Sequence, residues 1–224
     1  MTLKPEFGEH NHAGVIEQLE KGQIKEEKEL ASGDQITLLV IQGGLTAFFK
    51  EDDASGPAHS DFELLAFDLD QVLRFHLLPH TARRQIDGRA GSTYEVFRQN
   101  DLLIPLDAKW DSFVDDQELA KAAVFDFLIN AGDRNWRNFF VDTQYRTIKL
   151  FGHDEIMFLK NFSVSDIVRK ARERNLSLSQ DILDGIQHVV PWTERMAGKF
   201  MYQEILTGIK SRAQTLLTEK RIPA

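Results

Sequence analysis

Apolar and polar residues alternate in short runs through the first hundred positions, and apolar residues recur at helical spacing through most of the rest. Met1 to Gly14 is polar and reads as a loose tail. Val15, Ile16 and Leu19 then share one helical face, and Gly22 ends that segment. Gln23 to Leu30 is a charged, edge-like strand, and Ala31-Ser32-Gly33-Asp34 is a turn. Gln35 to Gln42 carries Ile36, Leu38, Leu39, Val40 and Ile41, the composition of a buried strand. Gly43-Gly44 signals a two-residue hairpin. Leu45 to Lys50 alternates, with Leu45, Ala47 and Phe49 on one face and Thr46, Phe48 and Lys50 on the other. Asp61 to Leu78 has the spacing of an amphipathic helix stopped by Pro79. Thr81 to Ile86 and Ser92 to Phe97 are two further strands joined through Asp87-Gly88.

The second half is mostly helical. Helices are expected over Asp115 to Ile129, Ser163 to Arg174, Ser179 to Val189 and Thr193 to Thr218, with Pro191 breaking the last two apart. Acids in the first turn of the helix at Asp115 complement its dipole. Ser177 or Ser179 is placed to cap the helix that follows. Between the first two helices, Phe139 to Val141 and Thr147 to Phe151 form a short hairpin. The final helix carries Met196, Phe200, Ile205, Ile209 and Leu216 as core positions.

Composition narrows the function classes. The chain has 224 residues, 42% apolar and 28% charged, ordinary values for a globular domain with a real core. No apolar run is long enough to span a bilayer, so no stable membrane insertion is expected. The tail lacks the apolar core of a signal peptide. The absence of cysteine excludes disulfides, thiolate metal sites and cysteine nucleophiles, and fits a cytoplasmic location. A net charge of −8 disfavours broad electrostatic binding to nucleic acid, and none is expected as a partner.

The candidate chemistry sits in Asp133-Arg134-Asn135-Trp136-Arg137-Asn138, followed by the hairpin and by Gly152-His153-Asp154. Each fragment alone is a common polar turn. The order is more telling: a strand Lys, a helix Glu, an Asp, an Asn five residues on, a hairpin and a second Asp. Phosphoryl transfer needs held phosphates, neutralised charge and a positioned hydroxyl. Lys50 can neutralise phosphate charge while Glu63 fixes it, although a strand-end Lys and a first-turn Glu are also ordinary surface residues. Asn138 and Asp154 offer hard oxygen ligands for a divalent metal, and Asp133 can orient or deprotonate a hydroxyl. Arg134 and Arg137 can contact phosphate or a substrate acid, or pair with Asp126 or Asp142. His153 is placed to pack or hydrogen-bond locally, or to touch nucleotide or substrate. Core packing is the expectation for Trp110 and Trp192, while Trp136 lies inside the candidate loop.

The run from Phe125 through Asp126, Gly132, Asp133 and Arg134, with Asn138, resembles the catalytic loop of the phosphatidylinositol 3-/4-kinase-like superfamily. That superfamily includes lipid kinases, HipA-like toxin kinases and secretory-pathway kinases. Ala47-Phe48-Phe49-Lys50 resembles its nucleotide-lysine strand. Phe62-Glu63-Leu64-Leu65-Ala66-Phe67, followed by Leu77-Leu78-Pro79-His80-Thr81, resembles its N-lobe helix and exit. Gly91-Ser92-Thr93-Tyr94 resembles the strand leading to its hinge. The resemblance spans roughly residues 22 to 160, as ordered motifs rather than one match.

The resemblance implies an α+β, bilobal protein-kinase-like fold. Residues 1–14 would be a flexible tail, 15–98 a β-rich N-lobe with one main helix, and 99–224 a small, mostly helical C-lobe. It implies ATP and Mg²⁺ as cofactors. Asp133 takes the catalytic position, Asn138 and Asp154 the metal positions, Lys50 and Glu63 the ion pair, and Ser32 and Gly33 the phosphate-covering turn. Three positions depart from the pattern: Asn135 stands where lipid kinases often carry His, Ile156 replaces a usual Gly, and Gly33 is the one obvious glycine of the phosphate turn. Asn135 and the acidic charge favour a protein hydroxyl (Ser/Thr) as acceptor. The rival readings are a lipid or small-molecule kinase, nucleotidyl transfer on the same fold, and a non-catalytic interaction module.

Overall fold

The structure, a computed structural model, describes residues 12–30, 36–53, 58–96, 102–103, 109–131, 134–135, 138–153 and 164–223. The chain divides into two compact units, one of Met1–Leu64 with Pro79–Phe97 and one of Leu65–Leu78 with Arg98–Ala224.

The first unit opens with helix α1 (His12–Lys21) and strands β1 (Ile24–Glu29), β2 (Ile36–Ile41) and β3 (Leu45–Glu51). Helix α2 (His59–Leu73) intervenes before β4 (Thr81–Ile86) and β5 (Arg89–Glu95). The five strands form an antiparallel sheet in the order β1-β2-β3-β5-β4. Alternation works as the sequence implies. Leu39 and Ile41 of β2, Ala47 and Phe49 of β3, and Ala82 and Ile86 of β4 are buried in one cluster with Leu19 of α1. The edge strand β1 reads Ile-Lys-Glu-Glu-Lys-Glu, and charge on an edge opposes pairing with another chain.

The turns differ from expectation in detail. Ile41 pairs with Leu45, so the first hairpin has three connecting residues, with Gly43 and Gly44 both at positive φ. Asp87 and Gly88 are both at positive φ between paired Ile86 and Arg89, the geometry of a tight primed turn. Strand β5 consequently starts at Arg89 rather than Ser92. Helix α2 ends at Leu73, five residues before the expected end at Leu78. Pro79 does not stop it. Arg74 turns left-handed at φ 58°, and the Asp70 carboxylate takes the backbone N–H groups of Leu77 and Leu78.

The second unit contains a 3₁₀ turn at Trp110–Phe113, helix α3 (Asp116–Ile129) and a three-stranded sheet. That sheet orders β6 (Leu102–Leu103), β7 (Phe139–Asp142) and β8 (Thr147–Leu150). Strand β6, two residues long, is too short to leave a periodic signal. Helices α4 (Asp166–Glu173), α5 (Gln180–Gln187), α6 (Val189–Met196) and α7 (Gln203–Glu219) follow. Ser179 occupies the N-cap position of α5, without a side-chain cap bond. The break expected at Pro191 is present, α5 ending at Gln187 and α6 starting at Val189 just ahead of that proline. Pro191 lies in the first turn of α6, where its missing N–H has no intrahelical partner to lose. A second break splits the helix expected over Thr193 to Thr218, between Met196 and Gln203, where Gly198 is at φ 85°. Ile205, Ile209 and Leu216 are buried as expected, whereas Met196 and Phe200 are only half-buried. Trp110 is buried edge-on against Phe139, and Trp192 is buried in α6. Among the described residues no helix is long and apolar enough to cross a membrane.

Candidate functional site

In the first unit, Lys50 stands near the end of β3, flanked by Ile36 of β2 and Ser92 of β5. It lies on the face opposite Ala47 and Phe49, as alternation requires. Its strand is tightly held. A Cβ at Gly91 would come within 2.2 Å of the Lys50 carbonyl oxygen, so only glycine lets β5 approach there. Two residues beyond Lys50, the Asp52 carboxylate accepts from both the backbone N–H and the hydroxyl of Ser60, each at 2.7 Å. That carboxylate caps the start of α2 from outside the helix, and it ties the end of the Lys50 strand to the helix carrying Glu63. Arg83 of β4 adds an ion pair to Asp61 in the same first turn. Glu63 itself is 5% exposed. Acids buried to this degree are held by partners. Lys50 and Glu63 are therefore brought into one unit on elements that Asp52 links.

In the second unit, the structure builds the base of the candidate loop around a guanidinium. Arg134 is 2% exposed. Its Nε donates to both carboxylate oxygens of Asp126, at 3.0 and 3.2 Å. Its Nη2 forms an ion pair with Asp126 at 3.0 Å, and Nη1 donates to the carbonyls of Asn138 and Phe151, each at 2.9 Å. Of the alternatives for Arg134, pairing with Asp126 is the one observed. Asp126 also accepts from the Ser165 hydroxyl at 2.6 Å. Ser165 in turn caps α4, accepting from the N–H groups of Ile167 and Val168. The first N–H of α4, on Asp166, donates to the Arg134 carbonyl. Helix α3 delivers the chain into this loop by a left-handed Asn130, a standard helix stop.

Asn138 closes the loop. Its side-chain oxygen accepts the Asn135 N–H at 3.0 Å, and its own N–H donates to the Asn135 carbonyl at 3.1 Å. An amide oxygen has a second lone pair, which leaves Asn138 able to offer one to a cation. The Phe151 N–H donates to the Asn138 carbonyl, so the two ends of the β7–β8 hairpin meet, as the sequence suggests. His153 is buried edge-on against Phe125, in keeping with the expectation of local packing. Asp133, Asp154, Ser32, Gly33, Trp136, Arg137 and Ile156 lie outside the described residues. Among the described residues, no group of three or more His, Asp or Glu side chains forms a metal site.

A further buried acid, Asp70, belongs to none of the sequence motifs. Burial raises its carboxyl from the ordinary 3.8 to about 6, against the opposing pull of the Leu77 and Leu78 N–H groups and of Lys149 and Lys121. Burial likewise lowers the Lys149 ammonium. Both Asp70 and Asp126 left the same signal: a lone acid on the apolar stripe of a helix, between Leu69 and Leu73 in one and beside Phe125 and Ile129 in the other. Asp52 left none, because its partner is eight residues away through a loop.

No protein-family model and no curated protein matches the chain. Solved structures do. A Golgi casein kinase is similar over 92% of this chain and 73% of its own, with a TM-score of 0.62 at 13% identity. The Golgi casein kinase with Mn/ADP bound is similar at a TM-score of 0.57 and 13% identity, over 92% of this chain and 74% of its own. The Helicobacter pylori proinflammatory kinase CtkA is similar at a TM-score of 0.53 and 12% identity, over 92% of this chain and 95% of its own. At these identities the likeness establishes the fold: the chain is an α+β protein of kinase-like architecture.

Proposed function

We propose that the chain is an ATP- and Mg²⁺-dependent phosphotransferase of the atypical kinase type, related to the phosphatidylinositol 3-/4-kinase-like superfamily and acting on a protein hydroxyl. The observation that carries this reading is the Arg134 network. One buried guanidinium grips the carbonyls of Asn138 and Phe151, the residue that closes the Asp133 loop and the residue three before Asp154. A kinase needs those two segments fixed against each other, because they supply the base and the metal ligands. The donor set fits the metal, since an amide oxygen at Asn138 and a carboxylate at Asp154 are hard ligands of the kind Mg²⁺ takes. Bound there with the nucleotide, the metal supplies neutralisation of phosphate charge.

The chain's own residues do the rest. Lys50 holds phosphate charge and Glu63 orients Lys50. Ser32 and Gly33, expected from the sequence at the phosphate-covering position, would offer backbone N–H groups to the phosphates. Asp133 orients the attacking hydroxyl and takes its proton as the oxygen bonds to the γ-phosphorus and ADP leaves. Support for a protein acceptor comes from Asn135, from the net charge of −8, and from the casein kinase among the fold neighbours. A cytoplasmic site of action fits the absence of cysteine.

The test is a thermal melt with ATP and Mg²⁺, followed by intact mass after incubation. A nucleotide-dependent rise in melting temperature is expected, together with a phosphate mass increment on an acceptor protein. Lys50→Met should abolish the rise. Asp154→Ala should abolish turnover while leaving the fold intact. An AMP increment would move the assignment to nucleotidyl transfer, and a wild-type protein whose melt ignores nucleotide would overturn the reading.

A further inference from the structure

The exit of α2 is built from unfavourable backbone held by buried polar contacts. Arg74 and His76 both adopt positive φ, 58° and 57°, which non-glycine residues avoid. Strain of that kind persists only where the surroundings over-determine it. The surroundings here are specific. Asp70, fully buried, accepts the N–H of Leu77 on one oxygen and that of Leu78 on the other, each at 3.2 Å. On the far side, α5 comes so close that a Cβ at Gly185 would lie 2.7 Å from the Leu73 carbonyl oxygen.

The same turn is bonded to β8. The His76 carbonyl accepts from Lys149 Nζ at 2.9 Å, and the Leu77 carbonyl accepts the Leu150 N–H at 2.9 Å. The chain then runs through Phe151, whose carbonyl is held by Arg134, to Gly152, His153 and Asp154. The charged groups that act on Asp70 are Lys149 of β8 and Lys121 of α3; Lys149 also feels Glu118 of α3 and Asp142 of β7.

We propose that Asp70 is a positioning residue for the metal–nucleotide site: it sets the 74–78 turn, and the turn sets the end of β8 from which Asp154 follows. This rests on the kinase reading, and it adds a residue that touches neither nucleotide nor metal. The site it acts through takes a divalent cation bound to a nucleoside diphosphate or triphosphate. Two bonds per carboxylate make the device sensitive to an isostere. Asp70→Asn keeps the shape but turns an amide NH₂ toward one of the two N–H donors, so one bond is lost.

The experiment measures ADP affinity by calorimetry with Mg²⁺ and with EDTA, in wild type, Asp70→Asn and Lys149→Met, together with hydrogen exchange at the Leu150 amide. Wild type should gain affinity with Mg²⁺. Asp70→Asn should lose about tenfold of that Mg²⁺-dependent gain, keep its affinity in EDTA, and exchange Leu150 faster. Lys149→Met, which spares the Asp70 bonds, should lose a smaller part and serves if the first variant fails to fold. A merely structural Asp70 would lower the melting temperature and leave the Mg²⁺-dependent gain intact, which would overturn the proposal. Unchanged Leu150 exchange in both variants would overturn it independently of any nucleotide. Wild type that binds no ADP would sink the kinase reading and this inference with it, whereas wild-type binding with an unaltered Asp70→Asn sinks only the inference.

Discussion

Replacing Arg134 by Met removes the centre of the network that joins Asp126 to the Asn138 and Phe151 carbonyls. Both side chains of the Arg134–Asp126 pair are fully buried. Removing one member of such a pair leaves an uncompensated charge and destabilises by about 3–5 kcal/mol. The carbonyls of Asn138 and Phe151 each lose a donor as well, and a buried acceptor stripped of its partner adds about 1 kcal/mol or more. Asp126 keeps only the Ser165 hydroxyl among the described residues, which does not neutralise it. The expected loss is about 5 kcal/mol, comparable with the whole stability of a marginal domain. Urea unfolding followed by tryptophan fluorescence reads this unit directly, because Trp110 and Trp192 are buried in it. With a slope of about 2 kcal/mol per molar urea, the midpoint should fall by about 2.5 M. The double variant Arg134→Met/Asp126→Leu removes both charges and should recover about 2 kcal/mol relative to the single one. A midpoint shift below about 0.5 M in the single variant, or a double variant that is simply additive, would refute the account of Arg134 as the organising group.

Three further outcomes are expected. Because burial raises Asp70 to about 6, its contribution to stability is fully present below about 3.8 and is lost as pH rises through about 6. The loss is roughly 3 kcal/mol, so urea midpoints from pH 4 to 7 should decline in wild type and flatten in Asp70→Asn; equal slopes would count against it. Gly91→Ala forces a Cβ to within 2.2 Å of the Lys50 carbonyl and 2.9 Å of the Phe49 ring, and should destabilise the first unit by roughly 1–3 kcal/mol while weakening ADP binding. Calorimetry with unchanged affinity would remove the link between β5 and Lys50. Arg84→Met strips donors from the carbonyls of Leu19 and Gly22 at the end of α1, and amide exchange in α1 should quicken by about tenfold; wild-type protection would show that the cap is dispensable.

Much of the fold was legible because short-range periodicity records which face of an element is buried. The alternation in Leu45 to Lys50 placed Lys50 opposite Ala47 and Phe49, and the structure agrees. The hairpin at Phe139 and the helix at Asp116 were read from local pattern within a residue or two. Boundaries failed where a distant group decided them. The expected helix end at Leu78 is overruled by Arg74 and by the Asp70 carboxylate, and the helix expected over Thr193 to Thr218 is split near Gly198. Charge pairing was legible only as alternatives, since Arg134 had two candidate acids and the folded geometry brings Asp126 to it.

The sequence by itself determined the order of the elements, the side of β3 on which Lys50 stands, and the spacing that makes Asp133, Asn138 and Asp154 a candidate set. Those follow from backbone periodicity and from residue chemistry, which are local properties. Only the tertiary structure decided that Asp52 ties the Lys50 strand to the Glu63 helix, that Arg134 holds the Asn138 and Phe151 carbonyls, and that Asp70 grips the exit of α2. Each is a partly or wholly buried polar contact between groups that no local periodicity pairs. Its existence depends on removal from water, which a chain acquires only when it folds.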